Sequence, residues 1–287
     1  MEFIKNLVER MNIEGEIPSA TSPIYIISLT LVILGCAVLV GFFANASDKV
    51  YRIIVGVAFG VMFLCEVFKQ ITFPMSVVDG ELVYKYLWNN FPFQLCSTPL
   101  YVFPLLVLLG DGRLREIAAS YTMTYALLGG IAVFLFPKTV FNVRLVGNIQ
   151  TMIHHGLQII VGVYTAAYYR KRLNSRFFLG GILLFTGLYA VANLLNTVGY
   201  NFFVARGWMA EGEIFNMFYV SPRADQTTPV LSDFLGSLPP LLYIFGYFVA
   251  ITVGALILML LAHYIGKLSD HLKKKRAANQ AVAQSEC

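Results

Sequence analysis

Seven apolar stretches set the rhythm of this chain, at about 24–43, 53–71, 91–110, 117–135, 149–169, 177–198 and 238–264. Each is long enough to cross a hydrocarbon core as a helix. In lipid, only a helix satisfies its own backbone along such a run. Ahead of them, FIKNLVERM at 3–11 puts Phe3, Ile4, Leu7, Val8 and Met11 on one helical face. That pattern suits a short helix lying on a membrane surface, and Pro18 to Pro23 then break it. The expected fold is all-α, a polytopic membrane helix bundle of about seven transmembrane helices. Its expected parts are an interfacial segment at 1–23, one transmembrane bundle at 24–264 and a basic cytoplasmic tail at 265–287.

Polar residues interrupt this pattern at one level. Glu66, Lys69, Gln70, Gln94, Cys96, Ser97, His154, His155, Gln158, Asn193 and Asn196 lie in four of the apolar segments. At a rise of about 1.5 Å per residue, Cys96 and Glu66 fall roughly 8 Å, and His155 roughly 10 Å, below the same boundary. Asn193 lies nearer the surface. Ionisable groups in lipid are costly, face the bundle interior and mark function by default.

Spacing refines the layer. In NIQTMIHHGLQIIVGVY, Asn148, Thr151, His155 and Gln158 form one helical stripe, while Gln150 and His154 form a second about 100° away. One histidine therefore faces the site while the other supports it, and His155 has the more polar stripe. In FPFQLCSTPLYVFP, Pro92 suits a helix start, and Pro99 and Pro104 remove backbone donors. Cys96 then sits in the first turns, where the helix dipole favours a thiolate. Cys36 and Cys65 read as small packing residues. Glu66 and Lys69, three apart, suit either a local ion pair or a carboxylate that orients a histidine. Thr186, Tyr189, Asn193 and Asn196 share a face, where asparagines glue helices together or bind a headgroup.

Composition agrees with a membrane protein: 57% of residues are hydrophobic and 13% charged, with a mean hydropathy of +0.69. The net charge of +5 is not a nucleic-acid signal, because the basic residues sit in short loops and one tail. Thirteen of the 21 Lys and Arg fall on one side of the alternating spans and seven on the other, with Lys69 within a span. The positive-inside rule then puts the N-terminus outside and the C-terminus in the cytoplasm of a multi-pass cell-membrane protein. Three of the four cysteines lie in apolar segments and Cys287 ends the tail, so no disulfide framework is expected. Residues 1–23 carry Glu2, Glu9, Glu14 and Glu16 and do not read as a signal peptide. Two loops, 72–90 and 199–237, are long and fall on the outer side, where the mouth of a site is expected.

Taken together, FPFQLC, YALLGGIAVFLFPKTVFN, NIQTMIHHGLQIIVGVY and FNMFYVSPRADQTTPVLSDFLGSLPPLLYIFGYF resemble, in order and spacing, the bacterial YwaF-type integral membrane proteins. The resemblance covers most of residues 25–265 and extends, more distantly, to the eukaryotic transmembrane-protein-164 acyltransferases. It implies a membrane cysteine and histidine that transfer acyl chains to phospholipid, which fall here on Cys96 and His155. The bacterial pattern often has a histidine where this chain has Gln94.

Three functions are compatible with these residues. In the first, His155 takes the Cys96 proton and the thiolate attacks a lipid ester, with Gln94, Ser97 or Asn193 donating to the oxyanion. The enzyme is then an acyltransferase or ester hydrolase whose partners are membrane lipids as acyl donor and acceptor, and it needs no cofactor or metal. In the second, the same layer lines a transport path or handles a metal or haem. In the third, the bundle binds lipid without catalysis. Glu66, Gln94, Ser97, His154, Gln158, Asn193 and Asn196 are the expected supporting or substrate-binding residues.

Overall fold

A computed structural model describes residues 2–209, 213–225 and 228–285 of the chain, and Cys287 lies outside the described residues. The helices are α1 (Glu2–Met11), α2 (Pro23–Phe43), α3 (Asp48–Thr72), α4 (Pro99–Leu108), α5 (Arg113–Tyr121), α6 (Leu127–Leu135), α7 (Leu145–Tyr168), α8 (Ser175–Leu194), α9 (Tyr200–Ala205), α10 (Leu231–Leu235) and α11 (Pro240–Ser285). Two five-residue π-helical stretches, Thr122–Ala126 and Leu195–Gly199, join α5 to α6 and α8 to α9 without a break.

Among the described residues, five helical rods are long and apolar enough to cross a membrane: Pro23–Phe43, Asp48–Thr72, Arg113–Leu135, Ser175–Ala205 and Pro240–Leu272. The other two expected spans differ for a physical reason. The third is a shorter apolar helix, Leu95–Leu108. The fifth, α7, has 24 residues but carries Asn148, Gln150, His154, His155 and Gln158, which lower its apolarity. The α5–α6 rod is innermost, with 78% of its most apolar window buried, against 6% for α2. It packs against α7, α8 and α11. On the far side of α7, Val32 of α2 joins Met152, Ile159 and Leu127 in a second apolar cluster.

The all-α expectation needs one correction. Met75–Val78 (β1) and Glu81–Tyr84 (β2) form an antiparallel hairpin in the register Met75↔Tyr84 to Val78↔Glu81. Its turn is Asp79-Gly80, with φ of 50° and 76°. Positive φ at both central residues matches the right-handed twist of the flanking strands, and the β-branched and aromatic residues beside it supply strand propensity. The last helix does not stop with the apolar run: α11 continues past residue 264 to Ser285.

Loops and polar contacts tie each end of the bundle together. At one end, Lys5 pairs with Glu81 and donates to the Gly80 carbonyl, Asn12 donates to the Met75 carbonyl at 3.1 Å, and the backbones at Glu14 and Arg144 form an isolated antiparallel β-bridge. Trp88 donates to the Trp208 carbonyl at 3.0 Å and stacks near Phe203 and Phe215, joining loop 72–90 to loop 199–237. The apolar face of α1 leaves Phe3, Ile4 and Leu7 exposed, as an interfacial helix requires. At the opposite end the buried Arg115 pairs with Asp48 and lies 5.3 Å from the Tyr51 ring centroid. Arg172 there makes paired contacts to Asp111 at 2.7 and 2.9 Å.

Candidate functional site

The chain entering α4 does not become helical at Pro92. Gln94 is extended, Leu95–Ser97 form a single 3₁₀ turn, and α4 begins at Pro99, where a missing N–H costs nothing. Thr98 locks the turn: its hydroxyl donates to the Leu95 carbonyl at 2.6 Å and lies 2.7 Å from the Tyr121 hydroxyl. Cys96 is thus held in a tight turn just before the helix, and Ser97 is buried behind it.

His154 reaches this turn from α7. Its Nε2 donates to the Cys96 carbonyl at 3.1 Å, leaving Nδ1 buried with no partner. His155 turns elsewhere. Its Nδ1 donates to the Thr151 carbonyl, one turn back, at 2.7 Å. In a neutral ring that bond puts the proton on Nδ1 and leaves the Nε2 lone pair buried and unpartnered. The ring centroids lie 5.3 Å apart. The divergence expected from the two stripes is present, and His154 is the histidine that touches the cysteine's backbone. Neither ring is hydrogen-bonded to the Cys96 sulfur. Gln158 donates to the Ala126 carbonyl at 2.6 Å, so α7 is stitched to the π-helical stretch of the α5–α6 rod. Close approach here depends on Gly130, where a Cβ would meet Ile159 at 2.9 Å and the His155 carbonyl at 3.2 Å.

Glu66 takes the local reading. Its Oε1 accepts from Lys69 at 2.9 Å and from Gln70 at 2.6 Å, and no bond joins it to a histidine. Gln70 in turn donates to the Asn90 carbonyl and accepts from the Tyr86 hydroxyl at 2.9 Å, which ties α3 to the hairpin loop. Lys69, a member of the expected polar layer, is paired to Glu66.

The asparagines of the sixth span serve structure. Asn193 donates to the Tyr189 carbonyl of its own helix at 2.9 Å. The π-helical stretch after Leu194 turns Asn196 inward, where it donates to the Met217 carbonyl at 2.9 Å and accepts the Met217 N–H at 2.7 Å. From the other side Gln94 donates to the Asn216 carbonyl at 2.8 Å. These clamps hold a loop whose Phe218 and Tyr219 have φ of 56° and 58°. Side chains other than glycine pay for that conformation, and it persists where surrounding contacts over-determine it.

An apolar cavity of about 450 Å³ opens beside the cysteine. Cys96, Leu128, Gly129 and Phe136 form part of its wall, Tyr247, Ile251 and Gly254 of α11 another, and Tyr219, Thr228, Pro229 and Leu231 close it from the clamped loops. Of the expected site residues, Cys96 alone lines it. The histidines sit behind the Cys96 turn, and Gln94 and Asn193 have committed their amides elsewhere. Among the described residues, no group of three or more His, Cys, Asp or Glu is placed to hold a metal ion.

A family model described as the TMEM164 family matches residues 19–267. The chain belongs to the TMEM164 family. No curated protein and no solved structure matches it. Membership and the apolar helices make it a multi-pass membrane protein. The matched stretch of this TMEM164-family chain spans the whole polar layer, the clamped loops and the cavity, and leaves α1 and the end of α11 outside. Tyr219 and Tyr247 are the cavity residues that sequence reasoning passed over. The usable signal was Tyr247 in the middle of the last apolar run, away from the boundaries where tyrosine is enriched.

Proposed function

We propose that this TMEM164-family protein is a membrane-embedded lipid acyl-transfer enzyme with Cys96 as nucleophile. It would cross the cell membrane seven times, counting α4 and α7, with its N-terminus outside. The finer likeness to bacterial YwaF-type proteins belongs to the same reading. The observation that carries it is the junction at Cys96: a thiol on the wall of an apolar cavity, with an imidazole bonded to its own backbone carbonyl. An acyl chain fits the cavity by polarity, and the thiol stands where the chain's ester would lie.

In this mechanism His154 positions the turn and the free Nε2 lone pair of His155 accepts the thiol proton. The sulfur must swing to that nitrogen, a closure that substrate-free sites commonly leave unmade. Sulfur then forms a bond to the ester carbonyl carbon as the carbonyl π pair moves onto oxygen. Collapse of that oxyanion breaks the carbon–oxygen ester bond, and the departing lysolipid alkoxide takes the proton from the imidazolium. The thioester left on Cys96 passes its acyl group to a lysolipid or to water by the reverse sequence.

The test is lipid turnover and acyl-probe labelling by purified protein. Cys96→Ala abolishes both, and His155→Ala and His154→Ala each slow labelling by about 10²-fold or more. Unchanged turnover in Cys96→Ala would refute the enzyme reading and leave a lipid-binding bundle.

A further inference from the structure

The reaction above develops negative charge on a carbonyl oxygen, and none of the three donors expected from the sequence lines the cavity, the buried Ser97 included. The amides of Gln94 and Asn193 are bonded elsewhere. Tyr247 answers the need. It is 2% exposed and lines, from α11, the same cavity that Cys96 lines. Its ring is fixed by stacking on Tyr189, with centroids 6.0 Å apart and planes at 10°.

The hydroxyl is the unusual part. Four neighbouring tyrosines have found partners: Tyr189 donates to the Ile244 carbonyl at 2.7 Å, Tyr125 to Thr252 at 3.3 Å and Tyr243 to the Tyr219 carbonyl at 3.4 Å, while Tyr121 meets Thr98 at 2.7 Å. Tyr219 also lines the cavity, but it is 39% exposed whereas Tyr247 is buried. Among the described residues, none is hydrogen-bonded to the Tyr247 hydroxyl. A buried phenol usually finds a partner, and a donor left free on a cavity wall is a donor for what enters the cavity.

We propose that Tyr247 donates its hydroxyl to the carbonyl oxygen of an acyl ester whose single chain occupies the cavity, with Cys96 facing the carbonyl carbon. This rests on the reading of Cys96 as nucleophile. When sulfur adds, the π pair on oxygen is met by the Tyr247 O–H; the phenol keeps its proton, and the hydrogen bond strengthens as charge develops.

Tyr247→Phe tests it, since the ring and its stacking remain. Full-length protein in nanodiscs is given p-nitrophenyl palmitate, and nitrophenolate release and thioester formation on Cys96 are followed. The expected result is a loss of about 10²-fold in the acylation rate of Tyr247→Phe, with the melting temperature unchanged. Acylation at the wild-type rate in Tyr247→Phe overturns the inference. Cys96→Ala separates the two claims: full nitrophenolate release by that variant refutes the nucleophile, whatever Tyr247 does. A second arm needs no turnover. The wild-type protein should be stabilised more by a long-chain methyl ketone than by the alkane of equal length, and Tyr247→Phe should lose that preference. An unchanged preference also overturns the proposal.

Discussion

At the residue scale, the Glu66–Lys69 pair shows how the layer tolerates charge. The two side chains are 8% and 17% exposed and are joined at 2.9 Å. Removing one partner strands the other, which costs about 3–5 kcal/mol at a buried pair, whereas replacing both by apolar groups is often neutral. Lys69→Met should therefore lower the melting temperature sharply, and Glu66→Leu/Lys69→Met should recover most of the loss. Equal losses in the single and double variants would show that the pair is not coupled. The sequence made these residues visible, because any charge inside an apolar run stands out. It did not show their partners. Spacing placed His154 and His155 on different stripes, yet which ring meets Cys96 depends on where the α4 turn ends, and Thr98 and Tyr121 decide that from outside the motif.

At the element scale, the helices were legible and the joints between them were not. Each apolar run holds a helix, but the bounds part where polar or proline-rich sequence takes over: α4 starts at Pro99 and not near 91, and α11 runs to Ser285 and not 264. A π-helical stretch leaves no hydropathy signature, yet the one at Leu195–Gly199 separates the half-buried Asn193 from the buried Asn196. The hairpin was hidden because its strands are four residues each and carry aromatic residues that also suit a headgroup zone. Two outcomes are expected here. Asn196→Ala removes two hydrogen bonds to Met217 and should cost about 1–3 kcal/mol, read as faster proteolysis within 213–225. Gly130→Val places a side chain where Ile159 and the His155 backbone already stand. That overpacking should cost about 1–3 kcal/mol and slow Cys96 labelling by shifting α7; unchanged labelling would show that α6 and α7 can separate without harm to the site.

For the whole molecule, the two ends do different work. One end gathers the hairpin, the clamped loops and the cavity. The other is a charged belt of Asp48, Arg52, Arg115, Asp111, Glu116 and Arg172. In that belt the Arg172 guanidinium, hydrogen-bonded to Asp111, holds the Asp111 carboxyl below the usual carboxylate range. A lowered folded value means the pair's contribution is fully present above about pH 3.9 and fades as pH falls through the folded value. Melting temperatures followed downward from pH 5 should fall less steeply in Asp111→Asn than in the parent protein. Parallel curves would show that this pair carries none of the acid sensitivity.

The makeup of α7 bears on how the protein is built. Alone, it is a poor candidate for partition into lipid, yet its polar groups are answered by earlier parts of the chain: Asn148 by Asn142, Gln158 by Ala126 and His154 by Cys96. Those partners leave the ribosome first. The histidine helix is thus received by protein that is already in place, and a chain that lost its earlier segments would strand this helix in water.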